Sequence, residues 1–177
     1  MISGKAGHGK DTFANMLKTS FENNGKSVII MHFADLVKHY AYDYYNWNGE
    51  KGTSGRALLQ YIGTDLMRAH YPTYWAEIIA KFVSAETKWD IALIPDFRFP
   101  NEYSTMCKYN KDVHTIRIIR YDKEQIYENP NLTEEQKSHP SECSLDDFEF
   151  EFAVKNDGTL THLQKGAQTL VNCLTSK

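Results

Sequence analysis

Residues 3–12 read Ser3-Gly4-Lys5-Ala6-Gly7-His8-Gly9-Lys10-Asp11-Thr12, and the residues after them, DTFANMLKTSF (11–21), carry apolar side chains at helical spacing. Gly4 to Lys10 fits the pattern G-x-x-x-x-G-K ahead of a helix. In such a loop the glycines let successive backbone N–H groups turn inward around phosphate oxygens, and the helix behind points the positive end of its dipole at them. Lys10 adds a mobile point charge for the terminal phosphates. Gly4, Lys5, Ala6, Gly7, His8, Gly9, Lys10, Asp11 and Thr12 are therefore the candidate phosphate-binding residues. One position departs from the general pattern: Asp11 stands where Ser or Thr normally ligates magnesium, and Thr12 follows it. A carboxylate beside phosphates repels them unless a cation lies between, so Asp11 and Thr12 are candidate metal residues. The plainer alternative is a glycine-rich turn capped by Asp11.

Outward from this loop, apolar runs of strand length alternate with longer segments of helical period. Ser27 to His32, Ile91 to Pro95, Val113 to Ile119 and Phe150 to Lys155 are strand candidates, and Asp11 to Asn23, Ala34 to Tyr45, Arg56 to Ala69, Tyr74 to Glu86, Asn101 to Tyr109 and Thr159 to Leu174 read as helices. This alternation predicts an α/β fold, a five-stranded parallel sheet with helices on both faces. Only Met1 and Ile2 precede the loop, whereas a buried strand usually takes about five residues. The first strand is thus expected to be very short or to extend before Met1. Asn46 to Gly55 carries three glycines, and Asp122 to Asp147 is polar and punctuated by Pro130 and Pro140. These are the two segments suited to close over substrates.

At 177 residues and 41% hydrophobic content the chain suits one domain with one core. A net charge of −3 offers no general attraction to a polyanion, so phosphate binding must come from a few placed cations and a nucleic-acid coat protein is not expected. Cys107, Cys143 and Cys173 are odd in number and widely spaced, without a zinc or redox pattern, and read as reduced thiols. No stretch has the apolar length of a membrane span and the amino terminus lacks a secretion signal, so a cytoplasmic protein is expected.

The second informative segment is Ile94 to Glu102, IPDFRFPNE, at the carboxyl end of an apolar strand, where loops of a parallel sheet line the ligand crevice. Asp96 is placed to hold a magnesium shell and Arg98 to clamp a phosphate as a planar fork, or the two form a surface salt bridge. Arg56 and Gln60, four apart, share one helical face, Arg68 follows, and Trp75 offers an aromatic plane for a base. Singly, each reads equally as core or solvated surface. Arg117 and Arg120, three apart in a strand, point to opposite faces, and Arg120 at the strand end is the better candidate to reach a transferring phosphoryl group, against a surface arginine.

Taken together, SGKAGHGKDT (3–12), HFADLVK (32–38), GRALLQYIGTDLMR (55–68) with YW (74–75), DFRFPNE (96–102), HPSE (139–142) and NDGTL (156–160) resemble the bacteriophage-type deoxynucleoside monophosphate kinases. The pieces span nearly the whole chain in order, and GKDT with DFRFPNE is the most specific. The resemblance implies the three-layer nucleoside monophosphate kinase fold, with an acceptor-binding helical region at about 34–88 and a lid at about 122–147 within a single domain, 1–177. It implies ATP as donor, magnesium, and a dNMP acceptor, in the host cytoplasm if phage-encoded. By position it implies Asp35, Lys38, Arg56, Gln60, Arg68, Trp75, Asp96, Arg98 and Glu142 around the acceptor, and Lys10, Arg98 and Arg120 as the catalytic cations. Asp11 is the residue that GKDT members carry. Partners are then small molecules, with no nucleic acid or membrane, and a homodimer is compatible.

Two other functions share these features. A P-loop kinase acting on another small phosphorylated metabolite, of the phosphomevalonate or dephospho-coenzyme A type, would keep the donor loop. A module that binds ATP without transferring it would need neither Arg98 nor Arg120.

Overall fold

The computed structural model describes residues 1–50, 52–157 and 159–175; Lys51 of the first loop and Gly158 of the NDGTL match lie outside them. In chain order the elements are β1 (Ile2–Ser3), α1 (Lys10–Asn23), β2 (Val28–Ile30), α2 (Asp35–Tyr45), α3 (Thr53–Gln60), a π-helical turn (Tyr61–Leu66), α4 (Met67–His70), α5 (Tyr74–Ala85), β3 (Ile91–Leu93), α6 (Pro100–Tyr109), β4 (Ile116–Asp122), β5 (Gln125–Ile126), α7 (Glu134–Ser138), α8 (Pro140–Cys143), β6 (Phe152–Asn156) and α9 (Leu160–Thr175).

The sheet is mixed and is not the uniform five-stranded parallel sheet expected from the sequence. β4 pairs in parallel with β1 on one side and β6 on the other, β2 pairs in parallel with β3, and β5 folds back antiparallel on β4. Backbone hydrogen bonds from Ile2 N–H to the Ile94 carbonyl at 2.8 Å and from Phe97 N–H to the Ile2 carbonyl at 3.2 Å bridge the two parallel ladders. The break has a local cause: β1 has two residues, and Pro95, just beyond β3, has no N–H to donate.

Apolar side chains on both faces of the sheet are buried. On one face Phe13, Leu17 and Phe21 of α1 meet Leu163, Ala167 and Val171 of α9 over Ile2, Ile116 and Ile118. On the other, Val37 and Ala41 of α2 and Trp75, Ile79 and Ala80 of α5 meet Ile94, Phe97 and Met106. Burial of each such large side chain contributes about 1.5–3 kcal/mol. The three layers leave the carboxyl ends of the strands facing the loops that carry the phosphate motif and Asp96 to Phe99.

The long helix expected over Arg56 to Ala69 divides into α3, the π-helical turn and α4. The wide turn sets Gly63 against Val37 and presents the Gly63 carbonyl to Trp75, whose indole N–H donates to it at 2.9 Å. Turns of this kind recur where a helix must present groups to a site.

Candidate active site

The phosphate loop crosses the end of β4 closely. A Cβ on Gly4 would lie 2.6 Å from the Ile118 carbonyl oxygen, so no larger residue fits there. Gly9 turns the chain into α1 with φ 95°, a conformation that side chains disfavour. No side chain caps α1, which leaves its first amides to the loop interior. Lys10 is buried, and its ammonium donates to the Gly4 carbonyl at 2.7 Å and the Lys5 carbonyl at 3.0 Å. Burial, reinforced by the Arg98 charge, pushes this ammonium down to about 7, against the pull of Glu142, Asp11 and Asp96. An arriving phosphate reverses that balance, because it supplies the negative charge the burial withholds.

Two side chains of the loop serve the scaffold. The ring nitrogens of buried His8 lie 3.2 Å from the Ile118 carbonyl and 2.9 Å from the Tyr127 carbonyl, and burial lowers its pKa. The Lys5 ammonium donates to the Glu142 carbonyl at 2.7 Å and pairs with Asp146. The Lys5 backbone amide, not these side chains, remains a candidate for phosphate, while the His8 amide donates to the Lys5 carbonyl at 3.2 Å.

On one side of the loop lies a cavity of about 320 Å³ walled by α2, α3, the π-helical turn, the segment after β3 and, from the stretch expected to be a lid, Leu132, Gln136, Ser141 and Glu142. Every sequence-nominated acceptor residue except Asp35 lines it, with Phe33, Leu59, Thr64 and Phe99 between them. Their states differ. Arg68 forms an ion pair with Glu102, donates to the Pro72 carbonyl at 3.2 Å and lies 4.2 Å over the Phe99 ring. Arg98 pairs with Glu142 and donates to the Ser141 carbonyl at 2.7 Å. Lys38 donates to Asp35 at 2.8 Å, and Asp35, which burial would raise, is held below its ordinary value by Lys38 and His32. Arg56 and Gln60 face the cavity from α3, and among the described residues neither side chain has a hydrogen-bond or ion-pair partner.

Two nominated residues take positions that the sequence did not suggest. Trp75 is 1% exposed, its N–H is taken by Gly63 and its ring is enclosed by Tyr40 and Tyr74, so it forms the cavity floor and is no open stacking plane. Asp96 gives one oxygen to the Phe33 amide at 3.0 Å and the other to the Ala34 amide at 2.9 Å, pinning the start of α2. Its carboxylate is an anchor first, which weakens its case as a metal ligand. Asp11, 76% exposed, stays on the rim of the loop with its oxygen 3.3 Å from His32 Nε2.

Sequence reading missed His32 and Glu102. His32 lies between Asp11 and Asp35, and its hydrogen bond to Asp11 raises its pKa. Glu102 is 1% exposed, accepts from the Arg98 amide at 2.7 Å and the Phe99 amide at 3.1 Å, and pairs with Arg68. Burial pushes this carboxyl up to about 7 against Arg68 and the two amides. Its signal was present as the third residue of a helix opened by Pro100, the place where a carboxylate reaches back to free amides.

On the other side of the loop a cavity of about 550 Å³ is lined by Gly7, Gly9 to Thr12, Arg120, Asn156, Asp157 and Leu160. Arg120 donates to the Gly7 carbonyl at 3.2 Å and lies 4.2 Å over the Tyr127 ring, while Asn156 donates to the His8 carbonyl at 3.1 Å. Arg117, on the opposite face of β4, turns instead to Ser3 and Asp146. Gly7, Lys10 and Asp11 belong to both cavities. No helix is long and apolar enough to cross a membrane among the described residues.

A sequence profile for deoxynucleotide monophosphate kinases matches residues 22–166, most of the chain. The phosphate loop lies before that span, so it points the same way independently. The fold matches that of an APS kinase from Mycobacterium tuberculosis with a TM-score of 0.52 at 10% identity, over 98% of this chain and 94% of that chain. At that identity the likeness bears on the fold alone, an α/β fold of the P-loop kinase type. Among curated proteins nothing matches.

Proposed function

The chain belongs to the deoxynucleotide monophosphate kinase family, and from that premise we propose how its two cavities divide an ATP-dependent phosphoryl transfer between them. The observation that carries the proposal is the shared wall of Gly7, Lys10 and Asp11. ATP takes the cavity at Arg120 and Asn156, its β and γ phosphates on the loop amides and Lys10. The dNMP takes the cavity at Arg56, its phosphate facing the γ-phosphoryl group across the loop.

A phosphate oxygen is already a competent nucleophile, so the step needs no strong general base. What it needs is in-line positioning and neutralisation of charge over the transferring group. Lys10 reaches that group from the shared wall and Arg98 from the acceptor cavity. Arg56 and Gln60, without partners among the described residues, hold the acceptor.

Magnesium would sit with the donor phosphates. It keeps several waters and takes one or two carboxylates, and an exposed Asp11 at the loop rim beside Thr12 fits that need. Asp96, with both oxygens on amides, fits it less well. Held there by Asp11 and Thr12, the ion would neutralise phosphate charge. We place the reaction in the cytoplasm, where ATP and nucleotides are found.

A coupled assay of ADP release across the dNMP and NMP panel tests this reading. ADP should form steadily only with a dNMP present. No ADP release with any nucleotide acceptor would point instead to another small phosphate acceptor or to an ATP-binding module.

A further inference from the structure

In the lid, Glu142 does more than line the acceptor cavity. One oxygen of its carboxylate takes a hydrogen bond from the Arg98 guanidinium, and the other takes the Ala6 amide of the phosphate loop at 3.1 Å. The side chain is 8% exposed. A loop amide and an arginine nitrogen converging on one pair of oxygens is the kind of donor set that proteins use for a phosphoryl group. The same lid turn is held from below, where Lys5 donates to the Glu142 carbonyl at 2.7 Å and Arg98 to the Ser141 carbonyl at 2.7 Å.

We propose that the Glu142 carboxylate is an internal substitute for a substrate phosphoryl group: it latches the lid onto the loop and Arg98, and the incoming phosphate displaces it. Displacement follows from charge. A carboxylate and a phosphate cannot share Arg98 and the Ala6 amide without strong repulsion at contact distance. The exchange also resolves the state of Arg98, whose charge is balanced by Glu142 while the lid is latched and is released when the substrate arrives. Because Lys5 holds the Glu142 carbonyl and Arg98 the Ser141 carbonyl, the backbone of α8 stays close during the exchange. Glu142 thus acts as a competitor tethered to the site, and it taxes phosphate binding by the fraction of molecules that are latched.

The inference rests on the phosphate-site reading above, and one titration separates the two. Inorganic phosphate is titrated by calorimetry into the full chain, the Glu142→Gln variant and, in case that variant folds poorly, Glu142→Asp, which keeps the charge but is one methylene too short to span both donors. Phosphate should bind about three- to tenfold more tightly to Glu142→Gln and should tighten in the same direction for Glu142→Asp. In the unmodified protein, amide hydrogen exchange over Ser141 to Leu145 should quicken on adding phosphate. Equal or weaker phosphate binding by the variants, or exchange that slows or stays unchanged, overturns the latch and makes Glu142 a fixed support for Arg98. Absence of phosphate binding in all three proteins sinks the phosphate-site reading itself, and the latch with it.

Discussion

The donor loop and the acceptor cavity share a wall but are built on opposite plans. The loop is contiguous in sequence, and its shape is set by glycines, by the carbonyl of Ile118 and by the rings of His8 and Tyr127 around it. Its charge, Lys10, is buried and turned on the loop's own carbonyls. The acceptor cavity is assembled from segments far apart in the chain, and most of its cations are already matched, Arg68 with Glu102, Arg98 with Glu142 and Lys38 with Asp35. A preformed donor site needs little rearrangement to bind. A site of paired charges binds by exchange, so its residues divide into those that must change partner and those, such as Arg56, that are ready as they stand.

The largest effect should come from the loop. Lys10→Ala is expected to lower kcat by about a hundred- to thousandfold, the scale of removing one aimed charge from developing phosphoryl charge, with an unchanged far-ultraviolet circular dichroism spectrum. Near-normal turnover would break the comparison, since a preformed loop without its cation would then suffice.

Arg56→Ala comes next. Loss of a charge-assisted hydrogen bond, about 1.5–3 kcal/mol, should raise the acceptor KM by about ten- to a hundredfold and leave the KM for ATP alone. If ATP use suffers instead, Arg56 belongs to the donor side and the division between the cavities fails.

The smallest effect tests the paired side through stability. Glu102 has its folded pKa raised to about 7 from an ordinary value of 4.5. Between those values the folded state binds the extra proton, so the contribution of this group to stability is full below about pH 4.5 and is lost as pH rises through about 7. The gap in unfolding free energy between the unmodified chain and Glu102→Gln should therefore move steadily against the unmodified chain over that window in denaturant titrations. A gap that is flat with pH would mean that Arg68 holds Glu102 ionised throughout.

These regions also differ in how far the sequence disclosed them. Loop, helix α1 and the opposed faces of Arg117 and Arg120 were legible because their signals are local: glycine spacing, helical period, alternation along a strand. The hairpin from β4 to β5 was not. Its turn residues Lys123 and Glu124 both take positive φ, 48° and 69°, where Asn and Gly would have announced it. The π-helical turn was hidden inside an ordinary helical period. Trp75 and Asp96 were nominated for what their side chains can do, but the Gly63 carbonyl and two free amides nearby claimed them first. That competition between a ligand and the protein's own backbone is settled by tertiary neighbours, which no single stretch of sequence contains.

The grip of Asp96 on the Phe33 and Ala34 amides has a mechanical meaning. It rivets the start of α2 to the end of β3, so this wall of the acceptor cavity is a fixed jaw that travels with the sheet. The opposing jaw is the segment that carries α7 and α8, caught on the α3 side by the bond from Gln136 Nε2 to the Thr53 carbonyl at 3.2 Å. With one jaw riveted, the width of the acceptor cavity depends on where that segment lies against α3.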